Sequence, residues 1–130
     1  MPGYLSELED SAAVRFYEEL REKRLMTTRC PACDHTFFPP RILCPRCLGE
    51  ELEWVELSGR GTIYAFTQQH GAMFLRKPDV VGAVELEDAV GRVFTLIDAP
   101  LNALEIGAAV EVGFFESPTG AILHRFRPVG

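Results

Sequence analysis

Cys30-Pro31-Ala32-Cys33 and Cys44-Pro45-Arg46-Cys47, two Cys-Pro-x-Cys pairs separated by ten residues, contain every cysteine of this 130-residue chain. A Cys-x-x-Cys segment folds as a tight turn that brings both sulfurs to one side of the chain. Two such turns face to face supply a tetrahedral set of thiolates, a geometry that zinc accepts without strain. Iron is the other metal that a four-thiolate shell admits. A redox dithiol is an alternative for either pair, but that motif usually occurs once, between a strand and a helix, and neither pair has that setting. Two disulfides are a further alternative. No signal peptide is visible ahead of the pairs, and an intracellular chain keeps such thiols reduced, so a metal site with zinc as the preferred ion is the expectation.

Outward from the cysteines, residues 30–57 read as a metal module. A segment this short cannot bury enough apolar surface to offset its chain entropy, so the bound metal must serve as its core. Between the pairs, Thr36-Phe37-Phe38-Pro39-Pro40-Arg41 reads as a strand entering a stiff, extended turn. Two prolines fix the backbone and remove donors, which suits a projecting edge. His35 lies near the metal, but four thiolates complete the shell, and an exposed knuckle position is expected for it. Ahead of the module, in a terminal segment assigned to residues 1–29, the pattern predicts an amphipathic helix from Asp10 to Arg24. Asp10 or Ser11 is the cap, and Ala13, Phe16, Tyr17, Leu20 and Arg24 recur at helical spacing. That stripe packs either on its own domain or on a partner.

Beyond Trp54 and the Ser58-Gly59-Arg60-Gly61 break, residues 58–130 change to short strands rich in branched and aromatic side chains. Five are expected: Thr62 to Gln69, Val80 to Leu86, Arg92 to Ile97, Ala109 to Phe115 and Ala121 to Phe126. Turn residues separate them, among them Lys77-Pro78-Asp79, Val90-Gly91, Ala99-Pro100, Ile106-Gly107 and Ser117-Pro118-Thr119-Gly120. Five antiparallel strands in so short a stretch indicate the OB fold, a five-stranded Greek-key barrel. Leu101 to Ile106 is too short for a regular helix and is expected to make one turn that plugs the barrel. The fold class is therefore mainly β: a terminal helix, a zinc ribbon and an OB barrel.

A hydrophobic fraction of 47% and an aromatic fraction of 10% are those of a folded globular chain. No apolar run is long enough to cross a bilayer, and Met1 is followed by an acidic, mixed segment, so a cytoplasmic protein is expected. Thirteen basic against 19 acidic residues give a net charge of −6. That charge disfavours a nucleic-acid partner, whose affinity depends on accumulated phosphate neutralisation. Ribbons and OB barrels do serve nucleic-acid binding elsewhere, and Arg29, Arg41 and Arg46 make the ribbon locally basic, so this reading stands as the rival.

In chain order, Phe16-Tyr17-Glu18-Glu19-Leu20-Arg21, the first cysteine pair, Phe38-Pro39-Pro40-Arg41, the second pair, Leu52-Glu53-Trp54-Val55-Glu56-Leu57-Ser58-Gly59-Arg60-Gly61 and Thr62-Ile63-Tyr64 resemble one family. It is the family of acyl-CoA-associated proteins with a rubredoxin-like zinc ribbon followed by an OB fold. The resemblance runs from the terminal helix to Arg127-Pro128. It implies a non-catalytic accessory subunit that supports a thiolase-type enzyme and helps to receive its CoA thioester; an aldolase or a hydratase is the alternative partner. The chain departs from the family pattern at Asp34 and Leu48, where glycine often follows each pair. Asp tolerates a left-handed backbone better than most residues, and Gly49 is available to take the second turn instead. The link Glu87-Asp88-Ala89-Val90-Gly91 is longer than the family's usual acidic-glycine turn.

The residues offer no catalytic constellation of their own. Four thiolates close the metal shell, and a closed zinc site cannot activate water. None of the serines stands in a Gly-x-Ser-x-Gly elbow, and Gly59-x-Gly61 precedes a strand rather than a helix. His70 and His124 lie near strand ends without a supporting partner in sequence. CoA association needs cations for phosphates and an apolar channel for the acyl-pantetheine arm. The loop His70-Gly71-Ala72-Met73-Phe74-Leu75-Arg76-Lys77 combines both. His70, Phe74, Arg76 and Lys77, with Arg41 and Arg60 beside stiff or glycine-rich turns, are the candidate CoA or partner contacts; Cys30, Cys33, Cys44 and Cys47 are the candidate metal ligands.

Overall fold

Phe16 and Leu20, one helical turn apart, set the face on which the first described helix packs. In the computed structural model, which describes residues 12–70 and 78–129, both are buried on one face of helix α1 (Ala12–Arg21), while Tyr17 beside them is half exposed. Of the expected stripe, Phe16 and Leu20 pack on the protein itself, while Ala13, Tyr17 and Arg24 are exposed. Phe16 meets the rings of Phe38 (5.7 Å between centroids) and His124 (6.1 Å) edge-on, tying the helix to both halves of the chain. The helix ends three residues short of Arg24, where Lys23 turns left-handed (φ 59°) and the Arg24 guanidinium reaches back to Glu19 at 2.8 Å. The expected caps, Asp10 and Ser11, lie outside the described residues.

Three antiparallel strands form the ribbon: β1 (Met26–Cys30), β2 (His35–Phe37) and β3 (Glu53–Glu56), in the order β2-β1-β3. Arg29 on β1 stands opposite Glu53 on β3 and bonds its carboxylate at 2.7 Å, while its other nitrogen holds Asp34 beyond the first cysteine pair. Thr27 and Thr28 are fully buried yet satisfied, Thr27 by donating to the Phe37 carbonyl and Thr28 by accepting the Arg41 amide at 3.0 Å. His35 corrects the sequence expectation. It is 8% exposed, pairs with Cys30 and packs its ring on Phe37 at 5.4 Å, because the short β2 turns it under the sheet rather than outward.

The second half is a closed barrel of β4 (Arg60–His70), β5 (Pro78–Leu86), β6 (Arg92–Ile97), β7 (Ala109–Glu116) and β8 (Ile122–Pro128), in the order β4-β5-β6-β8-β7. This is the OB arrangement: every pairing is antiparallel except β6 with β8, which are parallel and meet at only Leu96↔Arg125 and Ile97↔Phe126. Ile63, Val84, Val93, Val110 and Phe126, all nearly inaccessible, fill the interior. The expected plug is a 3₁₀ turn, Leu101–Ala103. The side chain that does the plugging is the buried Leu104 just after it, while Ile106 stays exposed.

The Phe38-Pro39-Pro40 stretch is not the free, projecting edge that its prolines suggest. Phe38 packs against the core, its amide donates to the Val90 carbonyl at 2.9 Å, and the Val90 amide donates to the Thr36 carbonyl at 2.9 Å. The long link between β5 and β6 supplies this clasp. Its Asp88 and Glu87 carboxylates accept the Ser58 amide (2.8 Å) and hydroxyl (2.7 Å) where the ribbon passes into the barrel. Gly91 makes the approach possible. Its φ of 139° disfavours L side chains, and a Cβ there would run into the Phe38 carbonyl.

Candidate functional site

The ribbon turns assemble their sulfurs by backbone geometry. Asp34 and Leu48, the residues immediately after each pair, both adopt left-handed conformations (φ 51° and 63°), which swing the chain back over the sulfur atoms. At the second turn the expectation that Gly49 substitutes for the missing glycine is overturned. Leu48 itself takes the left-handed conformation, and Gly49 instead lies so close to the Cys47 sulfur that a Cβ would stand 3.2 Å from it. Hydrogen bonds from the Leu48 amide to the Cys44 carbonyl (2.9 Å) and from the Cys44 amide to the Gly49 carbonyl (3.0 Å) close that loop.

The result brings Cys30, Cys33, Cys44 and Cys47 together, with all four Sγ atoms within 4.8 Å of one another. Cys30 to Cys47 is 3.7 Å and Cys33 to Cys44 is 4.0 Å. Zinc–sulfur bonds of about 2.3 Å set the corners of a tetrahedron about 3.8 Å apart, so the sulfurs fit a single tetrahedral ion. The amides of Arg46 and Gly49 point at the Cys44 and Cys47 sulfurs, each at 3.4 Å, donors that favour thiolate. Four thiols this close share their protons unequally. The Cys33 thiol is pushed up to about 12 by hydrogen bonding with Cys47, by burial, and by its bonds with Cys30 and Cys44. At Cys44 burial also opposes ionisation, but hydrogen bonds from the Cys47 and Arg46 amides outweigh it and bring the thiol down to about 7. A divalent cation removes this conflict by stabilising all four thiolates at once.

The other candidates do not converge on one place. Arg41 is exposed at the ribbon and lines a cleft with Arg15, Glu18, Ile42 and Trp54. Arg60 lines a different cleft of about 640 Å³, where Glu85, Glu87 and Glu111 surround it, a poor setting for phosphate. His70 is the last residue of β4; Phe74, Arg76 and Lys77 lie outside the described residues.

A feature that the sequence reading missed lies at the barrel mouth. Where β6 and β8 stop pairing, a groove of about 670 Å³ opens between Phe94 and Leu123, flanked by Tyr17 and Phe66. Thr95 and His124 meet at its base, Oγ1 to Nδ1 at 2.9 Å. Burial lowers the His124 pKa to about 4, so the ring is neutral at physiological pH. Phe94 is 82% exposed and advertises the groove, but in sequence it is one of several alternating strand aromatics.

Residues 18–53 match the family described as ChsH2, rubredoxin-like zinc ribbon domain, and residues 54–115 match ChsH2, C-terminal OB-fold domain. A DUF35 domain-containing scaffold protein of Methanocaldococcus jannaschii is 31% identical over 82% of this chain and 79% of its own length. Benzoylsuccinyl-CoA thiolase subunit BbsA of Thauera aromatica is 32% identical over 65% of this chain, a match spanning 58% of that subunit. Among solved structures, a chain of the Ltp2-ChsH2(DUF35) aldolase superposes with a TM-score of 0.80 at 30% identity, covering 92% of this chain and 94% of the other.

Proposed function

The chain belongs to the ChsH2/DUF35 family of rubredoxin-like zinc ribbons joined to OB-fold domains, and from that premise we propose that it is a non-catalytic accessory subunit of an acyl-CoA-processing enzyme. The observation that carries the reading is the closed sulfur cluster. All four ligand atoms come from the protein, so the site has the form of a structural clip and offers no open position for water or substrate. Cys30, Cys33, Cys44 and Cys47 hold zinc in this reading, and the ion supplies a crosslink that keeps the two knuckles in place.

The partner is a thiolase-type enzyme, supported by the likeness to the BbsA subunit of benzoylsuccinyl-CoA thiolase. An aldolase partner is the second reading, favoured by the likeness to the Ltp2-ChsH2(DUF35) aldolase over nearly the whole of both chains. Toward a CoA thioester, the barrel-mouth groove suits the apolar acyl-pantetheine arm rather than the phosphates, since no Arg or Lys is among its described lining residues. The phosphates fall to the partner or to Arg76 and Lys77. Co-expression with a thiolase-type enzyme from the same source, followed by size-exclusion chromatography and a CoA-thioester assay with and without this chain, tests the proposal. A stable complex with raised activity or stability is expected. An enzyme equally active and stable alone, with no complex formed, overturns it.

A further inference from the structure

Leu48 pairs a left-handed backbone, which the metal knuckle uses, with an exposed apolar side chain. Its backbone is left-handed (φ 63°), a conformation that disfavours a bulky L residue and that glycine adopts freely. Its side chain is 69% exposed, so it buries little apolar surface in return. It is not isolated: Ile42 (65% exposed) and Leu43 (38%) project from the same metal-pinned segment, the one closed by the Cys44 and Leu48 amide hydrogen bonds. Arg41 and Arg46 belong to the same segment. Both are exposed and, like Arg21, Lys23 and Arg60, make no ion pair among the described residues, although Glu18 and Glu50 line the same cleft as Arg41. On a chain of net charge −6, this one segment carries three exposed aliphatics and two exposed cations without ion pairs.

We infer that the second knuckle, Arg41 to Leu48, is a docking surface for the acyl-CoA enzyme subunit, with Leu48, Ile42 and Leu43 entering an apolar pocket edged by carboxylates that receive Arg41 and Arg46. The inference rests on the accessory-subunit reading and adds to it the face that makes contact. Exposed aliphatics on a rigid knuckle lose little conformational freedom on docking, and cations without internal partners select an acidic rim.

Leu48→Gly separates docking from folding, since it relieves the backbone while removing the side chain. The test measures affinity for the enzyme partner that co-purifies with the wild-type chain, by titration calorimetry at two salt concentrations, alongside metal content and thermal midpoint. The expectation for Leu48→Gly is full metal content, a thermal midpoint equal to or above wild type, and at least tenfold weaker binding. Ile42→Ser should weaken binding similarly, and Arg46→Glu should weaken it most at low salt. Wild-type affinity in both Leu48→Gly and Ile42→Ser, with the complex intact, overturns this inference alone. Failure of the wild type to bind any acyl-CoA enzyme overturns the accessory-subunit reading and this occupant with it. A self-associating chain that Leu48→Gly renders monomeric also overturns it, by making the patch a contact between copies.

Discussion

Gly91→Ala should uncouple the ribbon from the barrel. The Gly91 backbone stands at φ 139°, and a Cβ would collide with the Phe38 carbonyl, so the substitution forces the β5–β6 link away from the ribbon. Holding an alanine in so sparsely populated a conformation costs on the order of 1–3 kcal/mol. Moving away instead breaks the Phe38–Val90 and Val90–Thr36 bonds, each 2.9 Å, at about 0.5–1.5 kcal/mol apiece. Either route removes on the order of 1–3 kcal/mol. With a urea dependence of about 1–3 kcal/mol per molar for a domain of this size, the midpoint should fall by roughly 1 M. Trp54, the single tryptophan, lies on ribbon strand β3, so its fluorescence follows the ribbon while far-UV circular dichroism is dominated by the barrel. In the wild type the two transitions should coincide; in Gly91→Ala the fluorescence transition should come first. A midpoint within about 0.2 M of wild type, with the two probes still coincident, would refute the reasoning.

Three further outcomes are expected. Stripping the metal with a chelator, or replacing Cys44 by Ser, should abolish the native Trp54 signal while leaving barrel dichroism largely in place; an unchanged Trp54 spectrum in the metal-free chain contradicts a metal-built ribbon. Phe16→Ala, which empties a buried site between Phe38 and His124, should cost about 3–5 kcal/mol by chemical denaturation, and a loss below about 1 kcal/mol would mean that α1 does not pack on its own chain. His124, with its pKa lowered to about 4 against 6.5 for a free histidine, stays neutral in the folded protein while the unfolded chain takes up a proton. Its contribution is therefore complete above pH 6.5 and is lost as pH falls toward 4, at up to about 1.4 kcal/mol per pH unit. His124→Gln should flatten the stability profile in that window relative to wild type; parallel profiles for the two proteins would exclude His124 as the source.

The parts of this molecule that were legible in sequence are those with local signatures. Spacing within each Cys-x-x-Cys pair determined the sulfur cluster, alternation and turn residues located all five barrel strands to within a few residues, and Phe16 and Leu20 marked the helix face. What sequence did not disclose depends on contacts across the chain. His35 reads as a knuckle residue until the pairing of β1 with β2 places it on Phe37. Pro39-Pro40 reads as a free edge until Val90, some fifty positions later, bonds its neighbours. The over-long Glu87 to Gly91 link looked like an irregularity and is the clasp itself. Leu48 was misread for a different reason: glycine preference describes the cheapest way to turn a chain, and this turn is made by the costlier residue.

The brief parallel meeting of β6 and β8 bears on how this barrel yields. Two residue pairs, the Asp98 amide on the Phe126 carbonyl at 2.7 Å, the Thr95 hydroxyl on the His124 ring and carbonyl, and the Arg125–Asp98 ion pair fasten that flank, against seven paired positions between β7 and β8. A cylinder opens along its most thinly stitched line. Here that line runs into the groove between Phe94 and Leu123, so the acyl-pantetheine arm proposed for it would meet the part of the wall that can spread at the smallest loss of backbone bonding.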